Sequence, residues 1–277
     1  MELAGPRAKF EWAVKHLQLL DRECGAILES KPFRVAPEFD QEAGCYVLRF
    51  RIREDAFPLH LGLRVGDIVH AARSALDQAV WLIACRSNPI KFLWERDIGR
   101  NISFPIVWVE KSFPKHRVMP YIADDAKAVL DFLQPYQGGD LAKAIGDLDT
   151  LWNIDKHRVI HQSTVQLDIS HIGFRPAAIG IKHMEPPFPE ITWHPLEDPF
   201  KDGAKIASIR FRDGAGPPET KVQVNGEPSA VVAFGSGFFA LSIDVLGGLL
   251  VHVSQALSMI ESLPEAAPPS RASTEKG

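Results

Sequence analysis

The spacing of apolar and polar positions separates the chain into helical stretches and a β-rich middle. Phe10, Val14, Leu17, Leu20, Cys24 and Leu28 recur at three- and four-residue intervals. That predicts an amphipathic helix over about 7–30, opened by Pro6 and closed by Lys31-Pro32. From Gly66 to Cys85 (GDIVHAARSALDQAVWLIAC) the same period carries a wider apolar arc, built from residues such as Ile68, Ala72, Leu76, Val80 and Ile83. A helix near 63–86 follows from it, stopped by Ser87-Asn88-Pro89. Asp124 or Asp125 is expected to cap a short helix through Leu133, which Gln134-Pro135 breaks. Gly138-Gly139-Asp140 then opens another helix to His161, whose apolar face holds Leu141, Ala144, Ile145, Leu148, Leu151, Trp152 and Val159. A last apolar helix is expected over 241–263.

Between these stretches the period falls to two. In Cys45–Arg53, Leu48, Phe50 and Ile52 point one way and Arg49, Arg51 and Arg53 the other, and the Asp40–Gly44 turn joins this strand to FRVAPEF as a hairpin. TVQLDISHIGF and AAIGIKH read as strands paired around Arg175-Pro176, and residues 204–212 as another strand. Asp213-Gly214 and Asn225-Gly226 read as turns, the latter between KVQV and PSAVVAF. The proline-laden stretch 184–203 reads as a loop or a sheet edge. Ile102–Val109 reads as a short strand or two inside the irregular stretch 90–123. The fold class expected is therefore α+β: a four-helix bundle-like core with an antiparallel β-sheet formed by the inserted segments 33–54 and 164–240. Because the terminal helices flank every β segment, one intertwined domain over 1–263 is expected, with 264–277 a disordered tail.

Charge and cysteine usage narrow the function classes. A net charge of −4 argues against a generally basic nucleic-acid binder but leaves room for a local basic face. Cys24, Cys45 and Cys85 include no CxxC pair, which favours free thiols and a reducing compartment. The N-terminus lacks an apolar signal core, and the richest apolar run, Ala240–Ile260, is interrupted by Asp244, His252 and Gln255. The expectation is a cytoplasmic protein with no membrane partner.

Candidate chemistry concentrates on two helices. The polar stripe of the Gly66–Cys85 helix holds His70, Arg73, Ser74, Asp77, Gln78 and Trp81, with no Lys and no Glu. A solvated face is usually rich in both, so this stripe is expected to be covered by another part of the protein or by a ligand. Asp155 falls at the centre of the later helix's apolar face, where a carboxylate is costly unless paired; Arg73, His70 or Arg158 are the candidate partners. His157 and His161 sit at metal-pair spacing, but Asp155 points away from them and no third ligand is specified, so no metal is expected. GxSxG, GxGxxG and GxxxxGK[ST] are absent, and no cofactor is expected. Arg49, Arg51, Arg53, Arg210 and Arg212 would form one basic face if their strands pair, able to track phosphates. The plainer reading is a solvated face that discourages edge pairing.

IVHAARSALDQAVW, followed some 75 residues later by LWNIDKHRVIH, resembles a family of bacterial proteins frequent in actinobacteria, with an LRSALDH-like helix and a later DKHR-like motif. Arg73, Asp77, Asp155, Lys156, His157 and Arg158 are the matching positions, and the family brings no established activity. More remotely, the RSALD helix resembles the Arg-x(4–6)-His motif of HEPN domains, which include RNases of toxin and phage-defence systems. That resemblance implies a metal-independent RNase in which Arg73 binds phosphate. Position 78 holds Gln where the motif has His, and Gln exchanges no proton at neutral pH. The leading expectation is a binding or interaction module with an Arg/Asp/His cluster between two helices, its partner RNA or protein, with a homodimer left open. The competing class is an RNA-cleaving enzyme using Arg73 with His70, His157 or His161.

Overall fold

The chain folds as an α+β protein, seen in a computed structural model that describes residues 1–31, 33–53, 58–88, 99, 102–157, 162–176, 190–194, 202–210, 220–234 and 239–264. Its helices are α1 (Ala4–Glu29), α2 (Leu59–Ser87), α3 (Asp124–Phe132), α4 (Gly139–His157) and α5 (Ile243–Glu261). The strands are β1 (Phe33–Asp40), β2 (Cys45–Ile52), β3 (Gln162–Pro176), β4 (Glu190–Trp193), β5 (Lys205–Arg210), β6 (Thr220–Phe234) and β7 (Phe239–Ser242). Where the sequence suggests one intertwined domain, the chain divides into two compact units, both discontinuous: 1–19, 63–160 and 244–277 in the first, 20–62 and 161–243 in the second.

The first unit is helical. Ile68, Leu76 and Ile83 of α2, Ile145 and Leu148 of α4, and Val253, Leu257 and Ile260 of α5 are fully buried, so the 3.6-residue period becomes the core. The cap of α3 is Ala123, not an aspartate; Asp124 and Asp125 fall in the first turn, where a carboxylate still complements the helix dipole. Among the described residues α5 has the length and composition to cross a membrane, with 39% of that stretch buried. Core helices share both properties, so this one helix is weak evidence for a membrane.

The second unit holds two antiparallel sheets, ordered β1-β2-β5-β4 and β3-β6-β7. The hairpin from β1 to β2 forms where the sequence places it. Asp40 Oδ1 accepts hydrogen bonds from the backbone N–H groups of Glu42 and Ala43, and Gly44 takes φ +60°, a value that favours glycine. Tyr46, Leu48, Phe50, Ile206, Ala207 and Ile209 form the sheet's buried cluster. The proline-laden stretch supplies β4, an edge strand.

Two expectations are corrected. Asn225-Gly226 is not a turn. β6 runs through it, pairing Asn225 with His171 and Gly226 with Ile169, and the extra residue Ser170 makes a bulge on β3. The glycine sits beside that irregularity, a position that tolerates a missing side chain. β3 pairs with β6; the expected partner stretch 177–183 and the Asp213-Gly214 turn lie outside the described residues. Finally, residues 102–107 are extended but form no strand, because side chains and not a neighbouring strand hold their backbone.

Candidate functional site

The polar stripe on α2 is covered by protein from Arg73 to Trp81, while His70 at its start is exposed. Arg73 is only 5% exposed, and Ser74, Asp77, Gln78 and Trp81 are half-buried. Lys9 of α1 donates to Ser74 Oγ at 2.5 Å. Arg73 and Asp77, one turn apart, grip a single residue of the 102–107 segment. Arg73 Nη2 donates to the Phe104 carbonyl at 2.9 Å, and the Phe104 N–H donates to Asp77 Oδ1 at 2.8 Å. Both backbone groups of Phe104 are thus satisfied as they would be opposite a residue in an antiparallel ladder. The two side chains are themselves paired, Nη2 to Oδ1 at 3.3 Å.

Gln134, wholly buried, repeats the device from the end of α3. Its amide donates to the Pro105 and Leu130 carbonyls at 2.9 and 2.7 Å and accepts from the Val107 N–H at 3.0 Å. A buried extended segment without such partners would leave orphaned polar groups.

The remaining surroundings of Arg73 come from α4 and the connection before α3. Asp149 Oδ1 lies 4.0 Å from Nε, and the guanidinium carbon sits 5.5 Å from the Trp152 ring centroid and 6.0 Å from that of Phe104. Burial pushes the Asp149 carboxyl up, with Arg73 opposing that shift. His116 is held below the ordinary histidine value by burial first, then by Arg117 and Arg73. Its Nδ1 accepts from the Val118 N–H at 3.4 Å, which suits the neutral ring.

Of the residues singled out from sequence, the structure therefore brings Arg73 and Asp77 together and adds Asp149 as the second carboxylate, not Asp155. Asp155 is half-buried against Gly66 of α2, where a Cβ would lie 2.5 Å from its Oδ1. His70 is exposed and lines a shallow cleft of about 330 Å³ with Lys9, Trp12 and Asp67. His157 is the last residue of α4, its side chain undescribed, and Arg158 and His161 lie outside the described residues. Among the described residues no three His, Cys, Asp or Glu side chains are placed to hold a metal. Burial raises the Cys85 thiol, the opposite of what a nucleophile needs.

The arginine stripe is assembled by strand pairing. β2 pairs with β5, setting Arg49 opposite Lys205, while β1 sets Arg34 opposite Arg51. Arg49, Arg51, Arg34, Lys205 and Arg210 share the face turned away from the buried cluster. Glu38 answers two of them, Arg49 at 2.9 Å and Arg51 at 2.5 Å, and Asp202 meets Arg51 at 3.3 Å. The hydrogen bond from Arg51 holds Glu38 below its ordinary value. Arg49 also donates to the Gly203 carbonyl at 2.9 Å. Arg210 is exposed, donates to the Ala43 carbonyl at 3.4 Å and stands opposite Glu190 of β4. Arg53 is exposed just past β2, and Arg212 lies outside the described residues.

Sequence reasoning missed Asp149, Gln134, Phe104 and His116. Asp149 carried a signal, three residues before Trp152 and so on the same side of α4. Gln134 was legible only as half of a Gln-Pro helix breaker. No protein-family model matches this chain, and neither does any curated protein or solved structure.

Proposed function

We propose that the protein is a binding module whose ligand is the phosphate backbone of RNA or DNA, taken up on the arginine face of the β1-β2-β5-β4 sheet. The observation that carries this reading is the pairing of β2 with β5, which gathers Arg34, Arg49, Arg51, Lys205 and Arg210 on one face. Carboxylates share the face: Glu38 and Asp202 pair with Arg49 and Arg51, and Glu190 of β4 stands opposite Arg210, so Arg34 and Lys205 carry the charge that no ion pair answers among the described residues. Among the described residues no Phe, Tyr or Trp shares that face, so recognition runs through charge rather than base stacking and is insensitive to sequence.

The α2–α4 cluster supports the same reading from the other side. Arg73 spends a hydrogen bond on Phe104, its charge is answered by Asp77 and Asp149, and it is buried. That is how a brace is built. An RNA-cleaving centre needs an arginine that reaches a phosphate.

Retention of labelled RNA and DNA at rising salt tests the reading. Retention is expected at low salt, with log K falling linearly against log salt at a slope of about −0.7 to −0.9 per phosphate contacted, and the RNA is expected to remain intact with or without EDTA. Absence of retention at low salt would sink the proposal. Cleavage of the RNA that survives EDTA would instead make the protein a metal-independent nuclease.

A further inference from the structure

Successive side chains of a strand point to opposite faces, and in the β1-β2-β5-β4 sheet this alternation separates aromatic rings from cations. Phe39 stands opposite Tyr46, Tyr46 opposite Ile209 and Trp193 opposite Ala207, while Phe50 lies in the same buried cluster as Tyr46. Phe39 meets Tyr46 edge to face, with ring centroids 5.1 Å apart. These four rings therefore belong to the side that carries Leu48 and Ile209. The other side carries Arg34, Arg49, Arg51, Lys205 and Arg210, and with them the hydroxyls of Thr192 and Ser208, which stand opposite each other on β4 and β5.

Only part of that charge is unanswered. Glu38 holds Arg49 and Arg51, Asp202 meets Arg51, and Glu190 stands opposite Arg210. Arg34 and Lys205 are exposed and have no ion pair among the described residues. Arg34 lies across from Arg51 and Lys205 across from Arg49, so the two flank β2 on either side. Two strand spacings and a two-residue offset put their Cα atoms about 12 Å apart.

We propose that this face takes its phosphates from a double-stranded nucleic acid, an inference that rests on phosphate uptake by the face itself. A single strand exposes its bases, and proteins that hold one place aromatic rings along the cationic groove for those bases to stack on. Here the rings occupy the opposite face. A duplex keeps its bases stacked on one another and presents phosphate alone. It also carries one charge per about 1.7 Å of axis, twice the density of either of its strands. A face with two unanswered cations depends on that density for retention. The Thr192 and Ser208 hydroxyls add neutral groups of the kind that bind backbone oxygens.

Fluorescence anisotropy on the full chain tests the inference, with labelled oligo(dT), its duplex with oligo(dA), and the corresponding RNA strand and duplex. At low salt the duplexes are expected to bind at least about tenfold tighter than the single strands. Log K for the DNA duplex should fall against log salt with a slope of about −1.8, two contacts at about −0.9 each. Arg34→Ser and Lys205→Ser should each remove about half of that slope, and the double variant should lose the preference for duplex. Equal affinity for the DNA and RNA duplexes supports the inference through phosphate alone, and a preference for the RNA duplex supports it with the 2′-hydroxyl as a further contact. Single strands bound as tightly as duplexes overturn it and leave phosphate binding by the face standing. Absence of binding in every form overturns both. A duplex preference that survives in the double variant also overturns it, because the duplex is then held elsewhere on the chain.

Discussion

Arg73 illustrates how one buried side chain can replace a strand. Its guanidinium and the Asp77 carboxylate serve the N–H and C=O of Phe104, and Trp152 and Phe104 shield the pair from water. Removing one partner of such a set leaves an uncompensated charge and an orphaned carbonyl, at a cost of about 3–5 kcal/mol. Arg73→Ala is therefore expected to lower the melting temperature by roughly 10 °C, and Arg73→Lys to recover only part, because an ammonium lacks the planar fork. An unchanged melting point would mean the brace is dispensable. Asp149 yields a pH prediction. Burial raises its carboxyl, so the folded chain holds that proton more tightly than the unfolded chain does. Its stability contribution is full below the ordinary aspartate pKa and is lost as pH rises through the raised one. Asp149→Asn removes that loss. Urea unfolding should show the variant gaining on wild type as pH rises above the ordinary aspartate pKa, and a difference that is flat or reversed would refute the assignment.

At the scale of elements, what a local period encodes was legible and what faces it was not. α2 lacks Lys and Glu on its polar stripe and carries Trp81 there, and that composition alone indicated a covered surface. A helical wheel gives an azimuth, however, and not the identity of the residue across the gap. Arg73 consequently turns out to face Asp149, while Asp155, on the same helix, packs against Gly66. The 102–107 stretch has strand-like composition, but its partners are the side chains of Arg73, Asp77 and Gln134, which no strand pattern announces. Asn225-Gly226 misleads for the same reason: the dipeptide favours a turn locally, and fourteen residue pairs with β3 override it. The contact at Gly66 can be tested by a double-mutant cycle. Gly66→Ala places a methyl against Asp155, and the resulting overpacking, about 1–3 kcal/mol, outweighs the roughly 1 kcal/mol that alanine adds to helix propensity. The substitution should destabilise wild type and be neutral or stabilising in an Asp155→Ala background. A coupling energy under about 0.5 kcal/mol would show that the two residues do not meet.

For the whole molecule, the question is how a chain of net charge −4 presents a cationic surface, and what that surface does to the fold that carries it. Its arginines are not equivalent. Arg49 and Arg51 are tied to Glu38, Gly203 and Asp202, and so stitch the sheet as well as charging it. Arg34 and Lys205 have no ion pair among the described residues, and Arg34 stands directly across from Arg51. Like charges at facing positions destabilise a pair of strands, and opposite charges there contribute about 0.2–1 kcal/mol. Arg34→Glu should therefore hold or raise the melting temperature while weakening nucleic-acid retention. The plot of log K against log salt should flatten by about 0.7–0.9, the loss of one phosphate contact. Arg210→Glu should weaken binding to a similar degree, whereas Arg51→Glu should lose stability and binding together. Opposite signs for stability and binding at position 34 would identify a charge kept for a ligand at the expense of the sheet. Unchanged retention in both Arg34→Glu and Arg210→Glu would show that the phosphate backbone does not bind this face, and the arginines would then be a solvated guard against edge pairing.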